Sequence, residues 1–125
     1  MKCLRIYADE KGESHFSDME IAVSESQLLP GLTTEMSAPA SATSIQFVTL
    51  FGWTTTDWHR PPARQFVISL DRTIEIETSD GQRRQVQPSS VILVEDTWGK
   101  GHKTRSLGDS AGTLVFVALA EDSLR

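Results

Sequence analysis

The chain has 125 residues, 12 Lys and Arg against 17 Asp and Glu, and a net charge of −5. That length fits one domain with a sizeable core, and the acidic balance argues against a nucleic-acid partner, because phosphate binding needs a basic footprint. No apolar run approaches the ~20 residues of a membrane helix, the first residues lack a signal-peptide core, and a lone Cys3 permits neither an internal disulfide nor a zinc knuckle. A cytoplasmic protein without a membrane partner is expected.

Residues 4–7 alternate and predict a first strand. Residues 8–18 are polar, contain Gly12 and His15, and predict a turn in which His15 has no partner. Residues 19–23 predict a short second strand. Residues 24–42, with Pro30-Gly31 and a run of Ser, Ala and Pro, predict a long loop acting as an arm or lid.

From residue 43 the texture changes. Strands are expected at 44–51, 65–70, 73–78, 83–86, 91–95, 102–105 and 113–119. Asp80-Gly81 marks a tight hairpin between the third and fourth of these. No helix of three turns and no repeat is expected. Many short strands with turns every 8 to 12 residues predict an all-β antiparallel sandwich or barrel, and a barrel of this size can enclose one small ligand.

His59 and His102 each fall at a loop-to-strand junction beside a tryptophan, in Trp58-His59 and Trp98-Gly99-Lys100-Gly101-His102. A histidine at the mouth of a β-barrel can bind metal or move a proton. With Gln65 inward, a strand period of two turns Val67 and Ser69 inward as well. Phe66, Ile68 and Leu70 then face outward, toward a second sheet, the N-terminal arm or another subunit. Arg64 points opposite to Gln65, which suggests a surface role. Trp53, Trp58 and Trp98 either clamp a planar substrate or anchor the loops, and Arg60 can neutralise a carboxylate or enolate. Glu95-Asp96 either fixes a histidine tautomer or ends a strand.

Two stretches carry a family resemblance. DWHRPPARQFVISL, residues 57–70, and PSSVILVEDTWGKGH, residues 88–102, resemble the two motifs of small single-domain cupins, with the likeness extending over residues 46–119. The resemblance implies a cupin-type antiparallel β-barrel (a double-stranded β-helix, or jelly roll) over residues 43–125. Residues 1–42 then form N-terminal strands and an arm packed on it, within one domain overall. His59 matches the first histidine, Pro61 stands at the second histidine position, Gln65 matches the acidic or amide ligand, and His102 matches the histidine of the second motif. Arg72 and Ser89 replace turn glycines. The implied metal set is His59, Gln65 and His102, for zinc, nickel, iron or manganese; without metal, the two histidines form an acid/base pair and Gln65 orients the substrate. Asp57 either replaces the missing ligand or caps a turn. Trp58, Trp98, Arg60, Val67 and Ser69 are the expected substrate contacts. The implied activity is isomerisation, cyclisation or lyase chemistry on a small molecule, the alternative being a non-catalytic binding module, and small cupins are frequently homodimers.

Overall fold

A computed structural model describes residues 1–124. Eleven strands and no helix make up the described residues: β1 (Lys2–Ala8), β2 (Ser14–Glu20), β3 (Val23–Leu29), β4 (Leu32–Ser37), β5 (Ala42–Leu50), β6 (Gln65–Ser69), β7 (Thr73–Thr78), β8 (Arg83–Val86), β9 (Val91–Val94), β10 (His102–Leu107) and β11 (Gly112–Leu119). With no helix present, none is long and apolar enough to cross a membrane.

The strands form a six-stranded sheet in the order β2-β1-β9-β6-β11-β5, a three-stranded sheet β10-β7-β8, and a separate hairpin β3-β4. All-β architecture agrees with the sequence expectation. Two features differ from a purely antiparallel closed barrel. The β1–β9 ladder is parallel, with Leu4 opposite Ile92 and Ile6 opposite Val94. The sheets also do not close on each other: β2 and β5 end the large sheet, and the isolated bridge Thr55–Arg105 joins the loop after β5 to β10.

The core lies between the two sheets. Ile6, Val67, Ile92, Val94 and Leu114 from the large sheet meet Ile74, Ile76 and Val86 from the small one. Alternation explains the choice: on β6 the buried positions are Gln65, Val67 and Ser69, on β7 they are Ile74, Ile76 and Thr78. Burying one such aliphatic side chain contributes about 1.5–3 kcal/mol.

Three local expectations are corrected. Residues 24–42 are not a loop: most of them form β3 and β4, joined by the Pro30-Gly31 turn, where Gly31 has φ of 81°. His15 is not in a turn but on β2, and it has partners: its Nε2 lies 2.7 Å from Asp9 Oδ2 and its Nδ1 3.0 Å from Asp80 Oδ2. Arg64 is not a surface residue. It is 9% exposed, and its Nε donates to Glu95 Oε2 at 2.7 Å while its Nη1 donates to the Ser123 carbonyl at 2.6 Å. Carbonyls near the C-terminus, of Glu121 and Ser123, cover Arg64 just before β6, which the local pattern of residues 64–70 does not disclose. Glu95 also accepts from Arg5 Nε at 2.5 Å. Burial pushes the Glu95 carboxyl up, but the two guanidiniums outweigh it and hold the group below its usual range.

The His15 bridge ties the β1–β2 turn to the β7–β8 turn. The hydrogen bond to Asp9 raises the His15 pKa above its ordinary value despite some desolvation, and Asp80 adds to the rise. Asp9 is lowered, chiefly by His15. Asp80 is lowered too, because the Thr78 hydroxyl, the Gln82 amide and His15 outweigh its desolvation. The raised histidine contributes stability below its unfolded pKa of ~6.5 and loses it as pH rises through the folded value. The lowered carboxylates contribute above ~3.9 and lose it as pH falls through their folded values. The bridge therefore stabilises most between about pH 4 and 6.5. His15→Gln should melt below wild type at pH 5.5 and close to it at pH 9. A gap of equal size at both pH values would show that the bridge carries no charge.

Candidate functional site

His59 and His102 are 43 positions apart in sequence yet adjacent across an antiparallel bridge. Each backbone amide donates to the other's carbonyl, His59 N to His102 O at 3.0 Å and His102 N to His59 O at 2.9 Å. Residues that exchange both bonds present their side chains on one face. The two rings accordingly stand 4.6 Å apart, centroid to centroid, tilted by 58°.

Both rings are anchored through Nδ1. His102 Nδ1–H donates to Asp96 Oδ2 at 2.7 Å, with His102 5% exposed and Asp96 fully buried. His59 Nδ1 lies 2.9 Å from the Asp57 carbonyl and 3.2 Å from Thr56 Oγ1. A carbonyl only accepts, so the partners assign the proton of the neutral His59 ring to Nδ1 and leave Nε2 as a lone pair. The Asp96 carboxylate assigns His102 the same way. Neither Nε2 has a protein partner among the described residues. Just after β9, Glu95 and Asp96 thus turn to opposite sides: Glu95 binds Arg5 and Arg64, and Asp96 orients His102.

The loop that carries His102 is pinned by the N-terminal turn. Ser14 Oγ, fully buried, donates to the Gly101 carbonyl at 2.7 Å. Lys100 N donates to the Gly12 carbonyl at 2.9 Å. Position 101 must be glycine. Its φ is 76°, and a Cβ there would stand 2.1 Å from the His59 carbonyl oxygen.

The two histidines line a cavity of about 250 Å³ between the sheets. Its walls are apolar: Val67, Ile92, Val94, Leu114 and Phe116 on one side, Ile74 and Ile76 on the other. The polar lining comprises Gln65, Gln46, Thr54, Thr56 and Thr104, together with Arg60; Thr56 and Thr104 neighbour the histidines, whereas Thr54 stands beside Ser106 and Gln46 beside Phe116. Arg60 is the one full charge in the lining, and no Asp or Glu lines the cavity among the described residues. The size falls just below the ~300–1,000 Å³ typical of drug-sized ligands.

Of the residues singled out from the sequence, His59, His102, Gln65, Arg60 and Val67 meet in this cavity. Trp58, Trp98 and Ser69 do not line it. Trp58 faces solvent with Lys103 Nζ 5.1 Å over its ring. Trp98 packs on Gly12, its Cζ3 being 3.4 Å from where a Cβ would be. Trp53 donates from Nε1 to Asp109 at 2.6 Å. The three indoles are 43–62% exposed. Ser69 is on the inward side of β6 but beyond the cavity floor, where its hydroxyl closes the β6–β7 turn on the Arg72 carbonyl. Arg72 itself is 4% exposed and ties that turn to Ser106 and Gly108, so this turn position is structural. Sequence reasoning missed Thr56 and Thr104. Thr104 follows His102 by two residues in β10 and was within reach of the period-two rule; Thr56 was not.

As a metal site, His59, Gln65 and His102 line one cavity but are poor in charge. Anchored Nδ1 groups suit metal-ligating imidazoles. Two imidazoles and an amide bring no negative charge, and no group of three His, Cys, Asp or Glu stands together among the described residues.

No protein-family model matches the chain, and no curated protein does. Among solved structures, the chain is similar to protein NMB1881 from Neisseria meningitidis, at 17% identity and a TM-score of 0.44, over 61% of this chain and 72% of that one.

Proposed function

We propose that the chain is a small cytoplasmic enzyme of the cupin type, moving protons on a small carboxylate-bearing molecule in an isomerisation, cyclisation or elimination. The observation that carries this reading is the pair of imidazoles 4.6 Å apart on the wall of a largely apolar cavity, with both Nδ1 atoms held from behind. His102 is the base: its Nε2 takes the proton, and Asp96 stabilises the imidazolium that forms. His102 returns that proton from Nε2 at the second position, and the Nε2 lone pair of His59 accepts a hydrogen bond from the substrate. Gln65 hydrogen-bonds the substrate carbonyl or hydroxyl. Arg60 supplies the positive charge that an anionic substrate needs in a protein of net charge −5.

The test is a panel of small keto, hydroxy and unsaturated acids, followed by proton NMR in deuterated water. Wild type should exchange or shift protons of at least one compound. His102→Gln should lose that activity by about 10²–10⁴-fold, and Arg60→Gln should raise KM with kcat little changed. Tight binding without exchange or conversion of any bound compound would make the chain a non-catalytic small-molecule-binding module instead.

A divalent metal on His59, Gln65 and His102 is a second reading, favoured by the anchored Nδ1 atoms alone. Such an ion would supply a Lewis acid next to Gln65. Near-stoichiometric zinc, nickel, iron or manganese by elemental analysis, lost in a His59→Ala/His102→Ala variant, would favour it over the metal-free pair.

A further inference from the structure

Thr56 lines the cavity beside His59, and its hydroxyl has one proton to place. A hydroxyl offers one donor and two acceptor lone pairs. One lone pair takes the Thr104 backbone amide, N to Oγ1 at 3.0 Å. The Thr56 backbone amide donates in return to the Thr104 carbonyl at 2.9 Å, so the position of Thr56 is held from two sides. The other neighbour of Oγ1 is His59 Nδ1 at 3.2 Å.

That second contact decides where the proton goes. His59 Nδ1 also lies 2.9 Å from the Asp57 carbonyl, which only accepts, so Nδ1 carries its hydrogen. A ring N–H cannot accept, and Thr56 Oγ1 receives from it as the longer branch of a shared bond. Both lone pairs are then engaged. Oγ1 has no further partner among the described residues. Its O–H is left for the occupant of the cavity.

The site therefore has a fixed polarity. Thr56 can only give a hydrogen bond, and the Nε2 atoms of His59 and His102, each opposite an Nδ1–H, can only take one. The Thr56 donor and the His59 acceptor are close together: Oγ1 touches Nδ1, and a single ring carbon separates Nδ1 from Nε2. Ligand groups that meet both must be neighbours too. An oxygen acceptor next to a hydroxyl donor is the pattern of an α-hydroxy acid. The aliphatic walls at Val67, Ile74, Ile92 and Leu114 suit an apolar tail.

We propose that Thr56 determines specificity: its hydroxyl donates to a carboxylate oxygen of an α-hydroxy acid whose own hydroxyl donates to His59 Nε2. This rests on the reading of the cavity as a site for a small carboxylate-bearing molecule, and narrows that class. An α-keto acid turns a carbonyl lone pair toward the Nε2 lone pair, and an acid without the second oxygen leaves Nε2 unpaired; both are discriminated against.

Titration at pH 8, followed by the methyl resonances of the cavity walls, tests this with four compounds on one branched frame. α-Hydroxyisocaproate carries both groups. α-Ketoisocaproate replaces the hydroxyl by a carbonyl, isocaproate lacks it, and isoamyl alcohol lacks the carboxylate. Wild type should bind α-hydroxyisocaproate about 10-fold or more tighter than either other acid. Thr56→Val should weaken α-hydroxyisocaproate by about 10–100-fold, the worth of a hydrogen bond to a charged oxygen, and leave isoamyl alcohol unchanged. Thr56→Ser keeps the hydroxyl and should restore binding to within a few-fold. An equal loss for acid and alcohol would reduce Thr56 to a support for its loop. So would a Thr56→Ser protein, folded by circular dichroism, that binds no better than Thr56→Val. Equal or tighter binding of the keto acid would overturn the preference while the acid/base reading stands. A wild type that binds none of the three acids would overturn both.

Discussion

Asp96→Ala should lower turnover by at least about 10²-fold and destabilise the fold by about 1–3 kcal/mol. Asp96 is fully buried, and its Oδ2 accepts from His102 Nδ1. Removing the acceptor leaves a buried N–H unpaired, which costs about 1–3 kcal/mol. The ring also loses the contact that holds its tautomer and direction, and a base that points elsewhere forfeits most of the ~10²–10⁴-fold that proton transfer contributes. Asp96→Asn separates the two effects. It preserves volume and an acceptor oxygen, so most stability should return, whereas the negative charge behind the imidazolium does not. Asp96 is a positioning residue, so kcat should fall in both variants with KM little changed, and the Nε2–H tautomer of His102 should gain population. Loss of stability with unaltered kcat per folded molecule would reduce Asp96 to a packing role.

Gly101→Ala should be the most damaging single methyl in the molecule, at about 3–5 kcal/mol. The left-handed backbone alone costs an alanine roughly 1–2 kcal/mol. At Gly101 the added Cβ also meets the His59 carbonyl oxygen at 2.1 Å and its carbon at 2.5 Å, both backbone atoms of the bridge that aligns the histidines. Gly81→Ala is the matched control. Gly81 has φ of 89°, and a Cβ added there would meet nothing within 4 Å, so only the backbone strain applies. Urea unfolding should show Gly101→Ala far below Gly81→Ala, and the surviving folded fraction of Gly101→Ala should also lose activity. Equal midpoints for the two variants would mean that the His59 segment yields easily and that the bridge does not hold the site.

Local chemistry in the sequence accounts for most of the second half of the fold. Strands β5 to β11 fall where alternation and turn residues place them, and Asp80-Gly81 marks its hairpin because few other residues accept that geometry. The β3–β4 hairpin was not legible. Its strands alternate Ser, Thr and Glu with few apolar residues, no buried face supplies a period, and Pro30-Gly31 marks a loop and a hairpin turn equally well. His15 was hidden for a related reason: β2 is a strand because β1 pairs with it, Ile6 opposite Phe16 and Tyr7 opposite His15, rather than from its own pattern. The parallel β1–β9 pairing joins segments about 88 residues apart, which no window of local sequence contains.

The site divides in the same way. The inward direction of Gln65 and Val67 follows from a period of two, and the structure brings His59, Gln65 and His102 to one cavity. Trp58 and Trp98 do not line the cavity, because a loop's aromatic content does not say which way the loop folds. Arg64 was misplaced because its burial is made by residues near the C-terminus, Glu121 and Ser123.

His59 and His102 each present an Nε2 atom without a protein partner among the described residues, and both rings line the cavity. Long-range proton–nitrogen correlation spectra of the histidine rings, recorded at neutral pH before and after addition of the small-acid panel, test this arrangement most directly. Both rings should show the Nδ1–H tautomer, and their Nε2 resonances should move with at least one compound while His15 stays in place. An Nε2–H tautomer at either ring, or Nε2 signals that respond to no compound, would contradict the account.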